Sequence, residues 1–243
     1  MGVLELVTAA DYSAGYLVSD GYPAQINHAV AINESELNSI MVWVWRHPRE
    51  DDEWGANIDY EASKPLTSYE YLRANWVDPA THRPVFRSQT GLKKFKMLHC
   101  PPIWVAPAVD AVWRDIILKF VPAHRVQFLP IRLIARGETC DDYFWPIVMD
   151  RVCCIDPEKS VITQQIKDEK RFIIFGVAKF VHVPNCLGNL HLARDARMDS
   201  HLLVSDDLKQ ALSATGEDSM FYRPEDVVTI DTMVAKEDAR KLN

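Results

Sequence analysis

Three residues in one short segment of the chain have side chains that could bind a metal ion: His182, Cys186 and His191. Imidazole nitrogen and thiolate sulfur are preferred zinc ligands, and a structural zinc site needs four ligands in a recognisable spacing. The spacing here matches no established zinc pattern, and the chain contains no CxxC pair. We therefore predict that these residues belong to a loop and a strand, and that the protein binds no metal or other cofactor.

Other residue types used in catalysis also lack the sequence context that catalysis needs. The chain contains no phosphate-binding GxxxxGK[ST] or GxGxxG motif and no GxSxG nucleophile elbow. Cys153 and Cys154 are adjacent, so on a strand their side chains would point to opposite faces. A turn and a helix start explain the carboxylate pairs Asp141-Asp142 and Asp206-Asp207. We predict a protein that is not an enzyme, and keep a small Cys- or metal-dependent hydrolase as an alternative.

The charge balance indicates which kind of partner the protein could have. The 243 residues include 27 basic and 34 acidic ones, for a formal charge of −7. This balance argues against nucleic-acid binding, which usually requires a basic face. Residues 1–95 hold 8 basic and 13 acidic residues, so −5 of the total charge lies in the N-terminal part. An acidic surface of this kind fits a basic protein partner.

The cysteines and the first residues of the chain bear on its compartment. Five cysteines are an odd number and a poor disulfide framework, so we expect unpaired thiols in a reducing compartment. Glu5 and Asp11 interrupt the N-terminal segment, which has neither the basic nor the apolar region of a signal peptide. No apolar run approaches the length of a membrane span. These observations predict a cytoplasmic protein.

Two features of the N-terminal part are candidate partner-binding sites. The acidic run could pair with Lys or Arg of a partner, and the tryptophans could be aromatic anchors on one face of a predicted strand, Ile40–Trp45. The simpler alternatives are a solvated loop and packing in the core. The residues concerned are Glu50, Asp51, Asp52, Glu53, Trp43 and Trp45.

The order of predicted elements favours an α+β fold with a mixed or antiparallel sheet and packed helices. Apolar residues at helical spacing predict a helix over Pro107–Val121, and Ser205 is placed to cap a helix that runs to about Ala214. A further short helix is predicted to start near Ser68. Runs of β-branched and aromatic residues predict strands over Val126–Ile134, Tyr143–Ile155, Arg171–Val183 and Leu202–Val204.

Four blocks between about Pro101 and Asp226 resemble a bacterial immunity-protein family. The family was first catalogued as a domain of unknown function and is typified by a myxobacterial member; its genes lie beside those of polymorphic secreted toxins. The blocks are Val126-Gln-Phe-Leu-Pro-Ile131; Tyr143-Phe-Trp-Pro-Ile-Val with Asp156 and Ser160; His191-Leu-Ala-Arg194; and Leu203-Val-Ser-Asp-Asp-Leu-Lys209 with Gly216 and Phe221. The chain departs from the family at Ala193, where an aromatic residue usually precedes the arginine.

The resemblance implies an α+β antitoxin that binds a cognate toxin and occludes its active site or substrate groove. An adaptor or chaperone that loads an effector onto a secretion machine is a further alternative. We predict a variable acidic region over residues 1–95, which would make the partner-specific contacts. Residues 96–243 would form the immunity-family region, or the two parts would form one continuous domain.

Overall fold

A computed structural model describes residues 41–46, 55–59, 62–63, 75–103, 107–168, 172–218 and 220–227. The predicted acidic run, Glu50–Glu53, and the helix predicted near Ser68 lie outside these residues. In chain order the elements are β1 (Val42–Trp45), β2 (Asn57–Ile58), β3 (Val85–Ser88), α1 (Leu92–Phe95), α2 (Ala111–Phe120), β4 (Val126–Pro130), β5 (Arg132–Ala135), β6 (Glu138–Cys140), β7 (Phe144–Val148), β8 (Arg151–Val152), β9 (Val161–Lys167), β10 (Phe172–Lys179), β11 (Leu192–Asp195), β12 (Leu202–Ser205), α3 (Asp206–Ser213) and β13 (Phe221–Tyr222).

The largest sheet has five strands in the spatial order β13-β1-β12-β11-β8. Its neighbouring strands are antiparallel except for β11 and β8, which are parallel. A second sheet has the order β2-β3-β5-β6, and β4 with β7 and β9 with β10 form two-stranded ribbons. Mixed and antiparallel sheets with three packed helices confirm the predicted α+β class, with strands in the majority.

Two of the predicted strands are each divided in the structure. The run Val126–Ile134 becomes β4 and β5, which belong to different sheets, because the chain changes direction after Pro130. The run Tyr143–Ile155 becomes β7 and β8, again in different sheets. Pro130 and Pro146 lie in the β4–β7 ribbon, where each strand has only one partner and a missing backbone N–H is tolerated.

Helix α2 begins later than the apolar pattern predicts. Asp110 is its N-cap, and the Asp110 carboxylate accepts a hydrogen bond from the Trp113 amide over 3.0 Å. A side chain that satisfies a first-turn N–H fixes the start of a helix, so Pro107 lies before the helix rather than within it. Trp113 and Ile117 form its buried face. The apolar spacing that predicted the helix therefore marks its buried face correctly at these two residues, whereas Val112, another apolar residue of the same pattern, is 48% exposed.

The five-stranded sheet separates two of the three apolar clusters. Leu192, Leu202 and Val204 on one face pack in a cluster with residues of α2 and α3. Ala193 and Leu203, on the opposite face, pack with residues of the β9–β10 ribbon. The third cluster lies around β3, β5 and the β4–β7 ribbon. Alternation of side chains along each strand therefore assigns neighbouring residues to different cores.

Two cysteines form a disulfide, which corrects the expectation of five unpaired thiols. Cys154 and Cys186 are bonded, with a sequence separation of 32. The other three cysteines of the chain are free: Cys100 and Cys140 are buried, and Cys153 is exposed. The bond was missed because neither spacing nor local pattern distinguishes these two cysteines, and only the fold brings them together.

Residues on both sides of position 95 contribute to the same sheets. Strand β1 pairs with β12 and β13, and β3 pairs with β5. In addition, the buried side chain of Gln127 accepts a hydrogen bond from the Val77 amide and donates one to the Val77 carbonyl. These contacts cross position 95, and both the division there and the alternative of one continuous domain stay predictions. Within the described part of the chain, no helix is long and apolar enough to cross a membrane.

Candidate partner-binding site

Trp43 lies on β1, partly buried, in a group of charged side chains. Its indole Nε1 donates a hydrogen bond to Oδ1 of Asp206 over 2.9 Å. The Lys209 ammonium lies 4.8 Å from the ring centre, and the guanidinium carbon of Arg223 lies 6.0 Å from it. Cations at such distances are attracted by the negative face of the indole. We call Trp43, Asp206, Lys209 and Arg223 the Trp43 cluster.

The junction between β12 and α3 places the cluster. Trp43 pairs with Val204 in the sheet, and the next residue, Ser205, ends the strand and caps the helix. The Ser205 hydroxyl accepts a hydrogen bond from the Leu208 amide over 3.3 Å. Asp206 then falls in the first helical turn, where a carboxylate is favoured by the helix dipole. The predicted cap and helix start at this point are confirmed.

A second carboxylate holds Lys209 in place over the indole. The Lys209 ammonium lies 2.9 Å from Oδ1 of Asp218, and the Ser213 hydroxyl donates to the same oxygen over 2.7 Å. These two contacts, the hydroxyl first, hold the pKa of Asp218 below its ordinary value. Gln210 donates to Asp206 over 2.6 Å. The cluster therefore combines both signs of charge around one aromatic ring, and its side chains are held by neighbouring groups.

Trp45 has a different position from Trp43, although both side chains lie on the same face of β1. Trp45 is 1% exposed, and its ring centre lies 5.7 Å from that of Trp113 and 5.9 Å from that of Phe221. Aromatic pairs at these distances add to the free energy gained from burial. Trp45 therefore packs in the core beneath the Trp43 cluster, and Trp43 is the one of the two tryptophans that reaches the surface.

The structure does not bring the predicted metal-ligand candidates together. His182 contacts His201, Cys186 is in the disulfide, and Nδ1 of His191 lies 2.8 Å from the Ser205 hydroxyl. Among the described residues, no group of three or more His, Cys, Asp or Glu side chains is arranged to hold a metal ion. These contacts assign structural roles to the three residues.

The His182–His201 pair is a feature that the sequence did not reveal. Their Nε2 atoms lie 2.9 Å apart, so one nitrogen donates and the other accepts. The His201 ring also stacks on Phe180, with centres 4.8 Å apart. Burial lowers the pKa of His182 to about 4. Burial, followed by the charges of His182 and Arg46, holds the pKa of His201 well below its ordinary value. Both rings are therefore neutral at pH 7.

Two of the residues that carry the sequence resemblance, Asp156 and Ser160, make hydrogen bonds within the fold. Oδ1 of Asp156 accepts hydrogen bonds from the amides of Glu158 and Lys159, which closes a turn. The Ser160 hydroxyl exchanges two hydrogen bonds with the Val181 backbone, at 3.1 and 3.0 Å. Both side chains are partly exposed, and their hydrogen bonds to the backbone fix a turn and the position of Val181.

Residues 114–227, a little under half of the chain, match an immunity protein family (Imm11). The match confirms the predicted resemblance over the region that contains β4 to β13. It includes three members of the Trp43 cluster, Asp206, Lys209 and Arg223, whereas Trp43 itself precedes it. A search of curated proteins gives no match to this chain. Similarity to an immunity family favours a binding role over an enzymatic one.

Proposed function

We propose that this chain is an antitoxin that binds a cognate secreted bacterial toxin and neutralises it. The similarity of residues 114–227 to an immunity protein family is the observation that carries the proposal. The formal charge of −7 supports a basic toxin domain as the partner, because opposite charge accelerates association and favours the correct partner. Inhibition would follow from occlusion of the toxin's active site or substrate groove.

The Trp43 cluster is the best-supported centre of the toxin-binding surface within the described residues. Tryptophan and arginine are the residue types most enriched among those that dominate binding energy. Here an indole carries two cations on its face, and Asp206 fixes its orientation. A side chain that is already held loses little conformational entropy on binding. The acidic residues Glu50–Glu53 would add contacts to basic side chains of the toxin.

Co-expression of this chain with a candidate toxin gene from the neighbourhood of its own gene tests the proposal. We expect growth when both are expressed and death when the toxin is expressed alone. Equal killing in both cases would exclude neutralisation. An assay of the purified toxin's activity separates the antitoxin from a loading adaptor, because an adaptor would hold its partner and leave the activity intact.

A further inference from the structure

Arg194 is a charged residue that the fold buries almost completely. It lies on β11, is 1% exposed, and pairs in register with Arg151 on the parallel strand β8. Residues in register on neighbouring strands share a face, so both guanidinium groups leave the sheet on the same side. Strand β8 is the edge strand, and the side chain of Arg151 is 28% exposed. A buried cation and a partly exposed one therefore lie side by side at the edge of the sheet.

The hydrogen-bond donors of Arg194 are only partly used. Its Nη1 donates to the Asp199 carbonyl over 2.5 Å. Its Nε and Nη2 are buried, and neither has an acceptor in the described part of the chain. These two nitrogens form one edge of the guanidinium plane and carry parallel N–H groups. That edge matches the two oxygens of a carboxylate or phosphate.

Arg151 adds a further unpaired donor and an excess of positive charge. Its Nη2 is bonded to a carboxylate oxygen of Asp199, and its Nε is buried without an acceptor among the described residues. Asp195, the next carboxylate along β11, accepts from the backbone amides of Cys154, Ile155, Arg197 and Met198. Asp195 therefore lies on the opposite face of the sheet. Asp199 contacts Arg151 through its carboxylate and Arg194 through its backbone carbonyl.

Burial of this kind has a cost that a bound anion would offset. Desolvation lowers the pKa of Arg194 to about 10, so the group is still charged at neutral pH. A buried charge whose donors are unpaired destabilises a protein, and charge-assisted bidentate hydrogen bonds are among the strongest that such a donor can make. The donors without an acceptor are Nε and Nη2 of Arg194 and Nε of Arg151, which are N–H groups of two arginines in register on neighbouring strands.

We propose that Arg194 and Arg151 form a binding site for a small oxyanion. One carboxylate or phosphate group accepts from Nε and Nη2 of Arg194, and Nε of Arg151 provides a third hydrogen bond. The anion enters past Arg151 and Asp199, whose side chains are 28% and 21% exposed. The site is independent of toxin neutralisation and would be present in the free protein.

The test follows the arginine Nε–H signals of the full chain by ¹H–¹⁵N NMR while inorganic phosphate or acetate is added at constant ionic strength. We expect the Arg194 and Arg151 signals to shift saturably with at least one of the two anions. Comparison of the two titrations shows whether phosphate or carboxylate is preferred. Signals that stay unchanged with both anions would overturn the proposal, since water would then satisfy these donors.

Two variants separate a specific site from general salt effects. Arg151→Gln removes one donor at a partly exposed position and is expected to weaken anion binding roughly tenfold, about 1.4 kcal/mol. Arg114→Gln is the matched control, because the Arg114 side chain is also partly exposed, at 31%, and pairs with Asp115 at 2.8 Å on helix α2. Equal weakening in both variants, or in neither, would contradict the site. The Arg194→Lys variant lacks the Nε–H group of Arg194. Where this variant folds, the signal missing from its spectrum is therefore the Arg194 signal.

Discussion

The indole nitrogen of Trp43 donates a 2.9 Å hydrogen bond to Asp206, which lies 163 residues later in the sequence. The bond joins the second strand residue of β1 to the first turn of α3, across the junction where Ser205 ends β12. It fixes the indole plane, and Lys209 and Arg223 lie over that plane. A residue outside the family match is thereby oriented by residues within it.

Replacement of Trp43 tests whether this cluster binds the toxin. We expect Trp43→Ala to weaken toxin binding by about 2 kcal/mol, roughly 30-fold, because the aromatic anchor and its two cation contacts are lost. Trp43→Phe keeps an aromatic ring and should lose less. Isothermal titration calorimetry with the purified toxin domain measures both.

Trp76→Ala is the matched control for this prediction. Trp76 is 59% exposed and is not a member of the Trp43 cluster. We expect it to bind with the wild-type affinity. If Trp43→Ala also binds with the wild-type affinity, the Trp43 cluster is not part of the interface. A circular dichroism spectrum of each variant establishes that the fold is retained.

The Ser205 cap is expected to contribute measurably to stability. Ser205→Ala removes the hydrogen bond from the Leu208 amide and leaves Nδ1 of His191 without its hydroxyl partner. Loss of an N-cap typically costs about 1–2 kcal/mol. Urea unfolding should show the decrease, whereas Ser200→Ala, at an exposed position, should unfold at the wild-type midpoint. Identical midpoints for the two variants would contradict the assigned role of the cap.

The disulfide should stabilise the protein, and a reductant that breaks the bond should remove this stabilisation. With a sequence separation of 32 between Cys154 and Cys186, restriction of the unfolded chain is worth roughly 2–4 kcal/mol. We expect dithiothreitol to lower the urea midpoint of the wild type and to leave Cys186→Ala unchanged. Cys153→Ala, which changes the exposed neighbouring thiol, should respond to reductant as the wild type does. A wild type that is insensitive to reductant would refute this contribution.

The histidine pair makes stability depend on pH in a defined direction. In the fold the pKa of His182 is lowered from 6.5 to about 4, and that of His201 is also lowered. The unfolded chain therefore binds more protons below about pH 6.5, so acid favours unfolding. The stabilisation is fully present above pH 6.5 and is lost as the pH falls towards 4. The expected loss is on the order of 1–3 kcal/mol.

Thermal or urea unfolding at a series of pH values measures this effect. His182→Gln removes one of the two titrating rings, so its free energy of unfolding should fall less steeply between pH 6.5 and 4. His124→Gln, at an exposed position, is the control and should keep the wild-type slope. A slope in His182→Gln equal to that of the wild type would show that the pair does not govern acid unfolding.

Features with local causes were predictable from the sequence, and features that depend on pairing were not. The helix after Ser205 was predicted within a residue of its observed end, because its cap is local and Gly216, with φ 103°, follows it. The strand at Val42–Trp45 was also predicted. The division of Val126–Ile134 between two sheets was not predicted, since a strand's partner is chosen by residues distant in sequence. For the same reason the sequence missed His201 as the partner of His182.

The chain's net charge, its lack of common catalytic motifs and its resemblance to an immunity family follow from the sequence alone. Only the tertiary structure decided that Trp43 lies at the surface while Trp45 is buried beside Trp113. It also decided that Cys154 meets Cys186 and that Arg194 lies beside Arg151 with unpaired donors. Residue type and spacing specify local conformation and the face of a strand. Which face is covered, and by which distant side chain, is set by how the sheets and helices pack together.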